Sequence, residues 1–91
     1  MDEASIDQLI GSITDELAAV EHERWSHWQR FVHEQASRLP DGSLLLPAEL
    51  VERWERQIET SFEELTEKEK ESDREQVRRY LPIIVQALAR S

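Results

Sequence analysis

Apolar side chains recur every three or four positions along the first third of the chain. Because an α-helix turns by about 100° per residue, this spacing places them on one face of a helix. They are Ile6, Leu9, Ile10, Ile13, Leu17, Val20, Trp28 and Phe31. Ser5 and Gln8 form a capping-box pattern at the start of this stripe. We therefore predict one long first helix that begins at Ser5 and continues to about Ser37.

A turn signal ends this helix. Proline presets its own backbone angle and glycine accepts a positive φ, so the segment Pro40-Asp41-Gly42 favours a turn. The leucine-rich segment 43–46 is too short to define an element. We expect its leucines to hold an extended connector against the core or to form an interface. Pro47 suits the first turn of the next helix.

The second half of the chain predicts two more helices. The apolar side of the second helix consists of Leu50, Val51, Trp54 and Ile58. Charged residues occupy its other side, and we expect it to stop near Glu59. Thr66 and Glu69 form a second capping box, so a third helix is expected from there towards Ala89. Pro82 lies inside this helix, removes one backbone donor and predicts a kink.

Together these elements predict an all-α fold. We expect one compact three-helix domain over residues 1–91, with a long first helix and a proline-kinked third helix. A chain of 91 residues buries only a modest fraction of its surface. Association with a second copy would therefore help to stabilise it.

The charge balance narrows the range of partners. The chain carries 11 Lys and Arg residues against 20 Asp and Glu residues, a net charge of −9. Such a charge repels phosphates and anionic membranes, so we expect no direct DNA or RNA binding and no membrane contact. It permits the opposite role, an acidic DNA mimic that inhibits a basic protein. No apolar stretch resembles a secretory signal or a transmembrane helix, and we expect a cytoplasmic protein.

The sequence offers no catalytic or metal-binding constellation. There is no cysteine, which excludes disulfides and thiolate zinc sites. His22 and His27 are five residues apart, so on a helix their imidazoles point about 140° apart and cannot easily share one zinc ion. Neither a glycine-flanked nucleophile nor a glycine-rich phosphate loop is present. We therefore expect a non-enzymatic protein without a cofactor, which works by binding something.

A second face of the first helix mixes aromatic and polar groups. It lies roughly 80 to 140° from the main stripe and consists of Ala18, His22, Trp25 and Gln29. Trp25 and Trp28 border each other at its edge. A tryptophan at the edge of a core is commonly a packing residue, which is one explanation of this face. A platform on which a ligand stacks is the other.

The third helix shows a matching feature. Lys70, Asp73 and Arg74 share one side of it. The same side continues as Val77, Leu81, Ile84 and Leu88. An ion pair of Lys70 and Asp73 near a helix start explains this side without any function. If the two helices face each other, aromatic planes lie opposite a cation, an anion and an imidazole, an arrangement that suits a planar, polar ligand such as a nucleotide.

Two stretches of the chain resemble a known family. They are LAAVEHERW from Leu17 and FEELTEKEKESDREQV from Phe62, and they are similar to the ryanodine-receptor repeat domain, or RyR domain. In that family a helix with a His and a Trp precedes a proline-tyrosine turn, a Leu, several acids, a Lys and an Asp. The matching positions here are His22, Trp25, Phe62, Leu65, Lys70, Asp73 and Val77. The core of the resemblance covers 13–32 and 62–85, while 38–58 matches poorly and Phe62 replaces the tyrosine without a preceding proline.

The resemblance implies a compact helical module. In large animal calcium channels such modules occur as tandem pairs on the cytosolic surface, where they resemble a nucleotide-binding site between paired aromatic residues. Short bacterial and phage versions also occur. A free-standing copy would then form a homodimer to recreate the tandem pair.

The leading hypothesis is a non-enzymatic domain that binds an adenine nucleotide or an ADP-ribose-like signalling molecule. The tryptophans would stack on it, the lysine and arginine would meet phosphate, and the histidine and aspartate would fix polar edges. The expected ligand-binding residues are His22, Trp25, Trp28, Phe62, Lys70, Asp73 and Arg74. Because the chain is anionic, such a ligand requires a locally basic pocket. The rival hypothesis is a helical protein-interaction or dimerisation module, in which the tryptophans and the leucines of 44–46 cover a partner helix or a second protomer.

Overall fold

The first helical stretch is two helices. The computed structural model describes residues 1–91 and places α1 at Glu3–Ser12 and α2 at Thr14–Gln35. Ile13 separates them, with φ −107° and ψ 8°, so the prediction of one continuous first helix is wrong. α1 also begins two residues earlier than predicted. The carboxylate of Asp2 caps it by accepting the backbone N–H of Ser5 at 2.8 Å.

A two-stranded hairpin follows α2. β1 at Ser37–Arg38 pairs antiparallel with β2 at Leu44–Leu45. The predicted turn joins them: Gly42 has φ +92°, and the Asp41 carboxylate accepts the backbone N–H of Ser43 at 2.9 Å. The leucine segment is therefore an edge strand, because its backbone finds hydrogen-bond partners in β1.

The remaining elements follow the predicted order. α3 covers Ala48–Ile58, directly after Pro47. A short 3-10 helix at Phe62–Glu64 leads to α4 at Glu67–Arg90. The capping box at the start of α4 is confirmed, because the Thr66 hydroxyl accepts the backbone N–H of Glu69 and the Glu69 carboxylate accepts the backbone N–H of Thr66.

α4 continues through Pro82 as one helix. The predicted kink is therefore not matched, and the fold contains four α-helices, not three. Proline in a helix removes one hydrogen bond, here to the carbonyl of Arg78. Both residues are exposed, so water can satisfy that carbonyl.

Side-chain contacts show how the helices are arranged. The Tyr80 hydroxyl donates a hydrogen bond to the Glu21 carboxylate, which joins α4 to α2. Gln57, near the end of α3, donates to Glu69 in the first turn of α4. α3 in turn contacts Trp28 in the second half of α2. α2 therefore runs antiparallel to α4, and α1 packs against both.

The break at Ile13 has a local and a tertiary cause. Gly11 weakens the helix just before it. The hydroxyl of Ser12 donates to the carbonyl of Leu9 at 2.6 Å, a side-chain bond of a kind that bends helices. The side chain of Ile13 is only 1% exposed, so the bend buries the residue at which it occurs. It also turns α1 so that both α1 and α2 contact α4.

The helices form an open assembly. Only Ile13 and Ala87 are fully buried. The radius of gyration is 18.1 Å and the extents are 54 × 34 × 18 Å, whereas a compact chain of this length has a radius of gyration of about 12 Å. The all-α prediction is confirmed in its main feature, but the predicted compactness is wrong. None of the helices combines the length and the apolar composition that crossing a bilayer requires.

Candidate functional site

The outward face of α2 carries the first predicted group. The rings of His22 and Trp25 are stacked, with centroids 6.2 Å apart and planes 19° apart. The Trp25 side chain is 53% exposed. It lines a shallow cleft of about 340 Å³ whose other lining residues are Ser26, Gln29, Arg30, His33 and Glu34. All of these belong to α2, so the cleft has no wall from a second element.

Trp28 has different neighbours. Its ring meets the Trp54 ring of α3 edge to face, with centroids 5.4 Å apart and planes at 63°. It also stacks on Phe31, at 5.5 Å and 30°. The contact between Trp28 and Trp54 therefore joins α3 to α2 within the chain. The two tryptophans predicted to stack on one ligand have different ring partners, His22 for Trp25 and Phe31 and Trp54 for Trp28.

Three other predicted residues meet at the start of α4. Lys70 Nζ lies 5.9 Å from the centroid of the Phe62 ring, and Arg74 Cζ lies 5.8 Å from it. These distances are within the range of cation–π attraction. The ring comes from the 3-10 helix and the cations from α4, so the turn before Thr66 creates this group. It brings two cations to one aromatic ring.

The Phe62 cleft extends from this group along α4. It has a volume of about 410 Å³ and is lined by Phe62, Asp73, Arg74, Val77, Arg78 and Leu81. Arg78 was not among the predicted residues, although it follows Arg74 by one helical turn. The cleft combines an aromatic ring, two cations, one anion and two aliphatic side chains. These groups can hold a ligand or a side chain of another chain.

Acidic neighbours already partner the cations of the Phe62 cleft. Glu67 lies 3.8 Å from Lys70 and 3.3 Å from Arg74. Glu71 lies 3.4 Å from Arg74 and 2.5 Å from Arg78. The hydrogen bond from Arg78 lowers the pKa of Glu71, and the same bond raises the pKa of Arg78. A phosphate entering the cleft would compete with these carboxylates.

The predicted residues thus form separate groups. Trp25, with His22 stacked on it, lines the cleft on α2, whereas Phe62, Asp73 and Arg74 line the Phe62 cleft. Within one chain the two clefts have no lining residue in common. A single ligand that contacts both groups stays a prediction.

A polar contact between α2 and α4 was not predicted. The Glu21 carboxylate accepts hydrogen bonds from Arg24 and from the Tyr80 hydroxyl. The Arg24 bond, followed by the Tyr80 bond, lowers the pKa of Glu21 to about 2. The bond to Glu21 raises the pKa of Tyr80. The spacing of Glu21 and Arg24 is readable from sequence, but Tyr80 is 59 residues away and only folding brings it near.

α4 exposes an apolar face that continues from the Phe62 cleft. We call it the outer α4 stripe. It consists of Val77, Leu81, Val85 and Leu88, which are 53%, 46%, 62% and 46% exposed. The first two also line the Phe62 cleft. A neighbouring side of α4 carries Tyr80, Ile83 and Ala87, which are partly or fully buried.

No group of His, Cys, Asp or Glu side chains is placed to hold a metal ion. Comparison with protein-family models, with curated proteins and with solved structures finds no match to this chain.

Proposed function

We propose that this chain is a helical protein-interaction module whose hydrophobic core is completed by another polypeptide chain. One observation carries the proposal: only two of 91 residues are fully buried, while 14 large hydrophobic residues are exposed. Scattered exposed hydrophobics are ordinary, but contiguous apolar surface on a small soluble chain marks an interaction site. The outer α4 stripe is such a surface.

The helices themselves are well specified locally. Asp2 caps α1 and the Thr66–Glu69 capping box starts α4. Most of the stability of a helix in a protein, however, comes from packing its apolar face. Because so few side chains of the isolated chain are buried, we expect it to be helical but to unfold with low cooperativity. The partner would supply the missing contacts.

Unfolding of the dilute monomer tests this proposal without knowledge of the partner. The expected result is a broad thermal transition by far-UV circular dichroism, a small urea m-value and binding of the dye ANS. The m-value follows the surface exposed on unfolding, so an open chain exposes little more when it unfolds. A sharp two-state transition of the monomer, with the m-value of a compact domain of this length, would contradict the proposal.

A second candidate function is binding of an adenine nucleotide or an ADP-ribose-like molecule, as the resemblance to the RyR domain implies. The observation that favours it is the meeting of Phe62 with Lys70 and Arg74 in an acidic chain. The ring could stack on a base while the cations meet phosphate. Asp73 in the same cleft could accept hydrogen bonds from a base or ribose.

A thermal-shift panel of nucleotides, nucleosides and dinucleotides tests this second function. A ligand at a hundred times its dissociation constant stabilises the folded state by about 2.7 kcal/mol. A shift with adenine compounds that phosphate alone does not reproduce would support the ligand. No shift across the panel at millimolar concentration would leave only the interaction module.

A further inference from the structure

α4 is apolar on two sides. Tyr80, Ile83 and Ala87 lie on the side that packs within the chain. The outer α4 stripe lies about 100° further around the same helix. A surface helix needs one apolar face, whereas a helix with two such faces is typical of the interior of a bundle. α4 is therefore built to have neighbours on both sides, and within one chain it has them on one side only.

The exposed area is large enough for a stable dimer. The chain exposes 7353 Å², whereas a compact chain of this mass exposes about 5,500 Å². The difference, about 1,800 Å², exceeds the roughly 800 Å² that each partner buries in a standard protein interface. The excess belongs to the whole open chain, and part of it lies on the outer α4 stripe, whose four side chains are 46 to 62% exposed.

From these observations we infer that the outer α4 stripe pairs with the same stripe of a second copy of this chain. The inference rests on the proposed interaction function and names its partner. The helices run antiparallel, and a two-fold axis passes near Leu81. Val77 of each copy then meets Val85 of the other, and Leu81 meets Leu81. Such a self-complementary contact is what two-fold symmetry requires.

Charge favours this surface and this direction. Each chain has a net charge of −9, so two copies repel each other overall. The outer α4 stripe contains no charged residue, so the repulsion is weakest where two stripes meet. In a parallel pair the basic ends of the two stripes, with Arg74 and Arg78, would lie side by side. The antiparallel pair separates these cations and aligns the helix dipoles favourably.

The pairing also changes the Phe62 cleft. With the axis at Leu81, Leu88 of the second copy lies opposite Arg74. The cleft, which one chain leaves open, then gains an apolar wall from the other chain. This wall would shield the Phe62 ring from water. Each of the two Phe62 clefts in the dimer would then be part of the dimer interface.

Single cysteines provide a direct test, since the chain has none of its own. After mild oxidation, Leu81→Cys should form a disulfide-linked dimer. Val77→Cys and Val85→Cys should each form no disulfide alone and should form a mixed disulfide when combined. In this antiparallel pair, Val77 of one copy and Val77 of the other are displaced by eight residues, or about 12 Å along the helix axis, and the same holds for Val85. This distance is too long for a disulfide. Ile58→Cys, at a position 81% exposed outside the stripe, should not form a disulfide-linked dimer.

A pair of charge variants provides the matched control. Sedimentation of the wild-type chain should show a dimer that higher salt strengthens, because salt screens the repulsion. Val85→Glu should weaken the dimer at least tenfold, and Ile58→Glu, with the same change in charge, should leave it intact. Circular dichroism would show whether each variant keeps its helices, and the cysteine variants remain informative where it does not.

Two results would overturn the inference. One is a wild-type chain that stays monomeric up to millimolar concentration. The other is efficient cross-linking at position 58 with none at position 81. If the chain is monomeric and unfolds without cooperativity, a different polypeptide covers the stripe and the proposed function stands. If the monomer unfolds as a cooperative compact domain, the proposed function fails as well.

Discussion

The indole rings of Trp28 and Trp54 meet edge to face, with centroids 5.4 Å apart. This contact joins α3 to α2 across the hairpin and is the main aromatic link between the two helices. The geometry is one that aromatic pairs prefer, because the positive edge of one ring faces the negative face of the other. This contact, together with the Gln57–Glu69 hydrogen bond, therefore positions α3.

The Trp28–Trp54 contact predicts an energetic coupling. In a double-mutant cycle of Trp28→Ala and Trp54→Ala, measured by urea unfolding at fixed chain concentration, we expect a coupling of about 0.5 to 1.5 kcal/mol. The cycle of Trp25→Ala with Trp54→Ala is the control and should be additive, since Trp25 stacks on His22 instead. Additivity of both cycles would show that the contact does not hold α3 in place.

The Glu21 contact predicts a dependence of stability on pH. The pKa of Glu21 falls from 4.5 to about 2 in the folded chain. Because the folded pKa is the lower one, ionised Glu21 stabilises the fold fully above about 4.5, and this contribution is lost as the pH falls towards 2. Urea unfolding between pH 2 and 7 should show a smaller loss for Glu21→Gln than for the wild type.

The loss of stability at low pH should not disappear entirely in Glu21→Gln, because Glu69 also contributes to it. Hydrogen bonds from Gln57 and from Thr66 lower the pKa of Glu69 to about 2, so it contributes over the same range. Glu23→Gln removes a charge from the same helix and should leave the pH dependence of the wild type intact. An unchanged pH dependence in Glu21→Gln would argue that the carboxylate does not join α2 to α4.

The two glycines predict opposite effects of alanine. An added Cβ would meet nothing within 4 Å at either position, so the difference lies in the backbone. Gly11→Ala should raise helix content and stabilise the chain by up to about 1 kcal/mol. Gly42→Ala should destabilise it by roughly 1 kcal/mol or more, since φ is +92° there. Paired unfolding curves would check this, and a destabilised Gly11→Ala would mean that the break at Ile13 requires glycine.

Because the two clefts are separate, the structure predicts which aromatic side chain contributes to nucleotide affinity. If an adenine nucleotide binds in the Phe62 cleft, Phe62→Leu should weaken binding about tenfold or more, because base stacking contributes about 1 to 3 kcal/mol. Trp25→Ala should leave the affinity unchanged in isothermal titration, since Trp25 lines the other cleft. Weakening by both variants would instead place one ligand across both groups.

Local features of this protein were readable from its sequence. The capping box of Thr66 and Glu69, the turn at Gly42 and the start of α3 after Pro47 all appear where they were predicted. Each depends on groups at most a few residues apart. Their hydrogen bonds and backbone preferences are therefore present in the sequence itself, and they define where these elements begin and turn.

Tertiary contacts decided the rest. Gly11 and Ser12 weaken the helix before Ile13, but they do not show that α1 must turn to reach α4. Tyr80 meets Glu21 only because α2 and α4 run antiparallel. Helical periodicity shows that an apolar face must be covered but does not show what covers it. The same pattern in α4 is satisfied on one side by this chain and left exposed on the other, because burial depends on which surfaces meet in space.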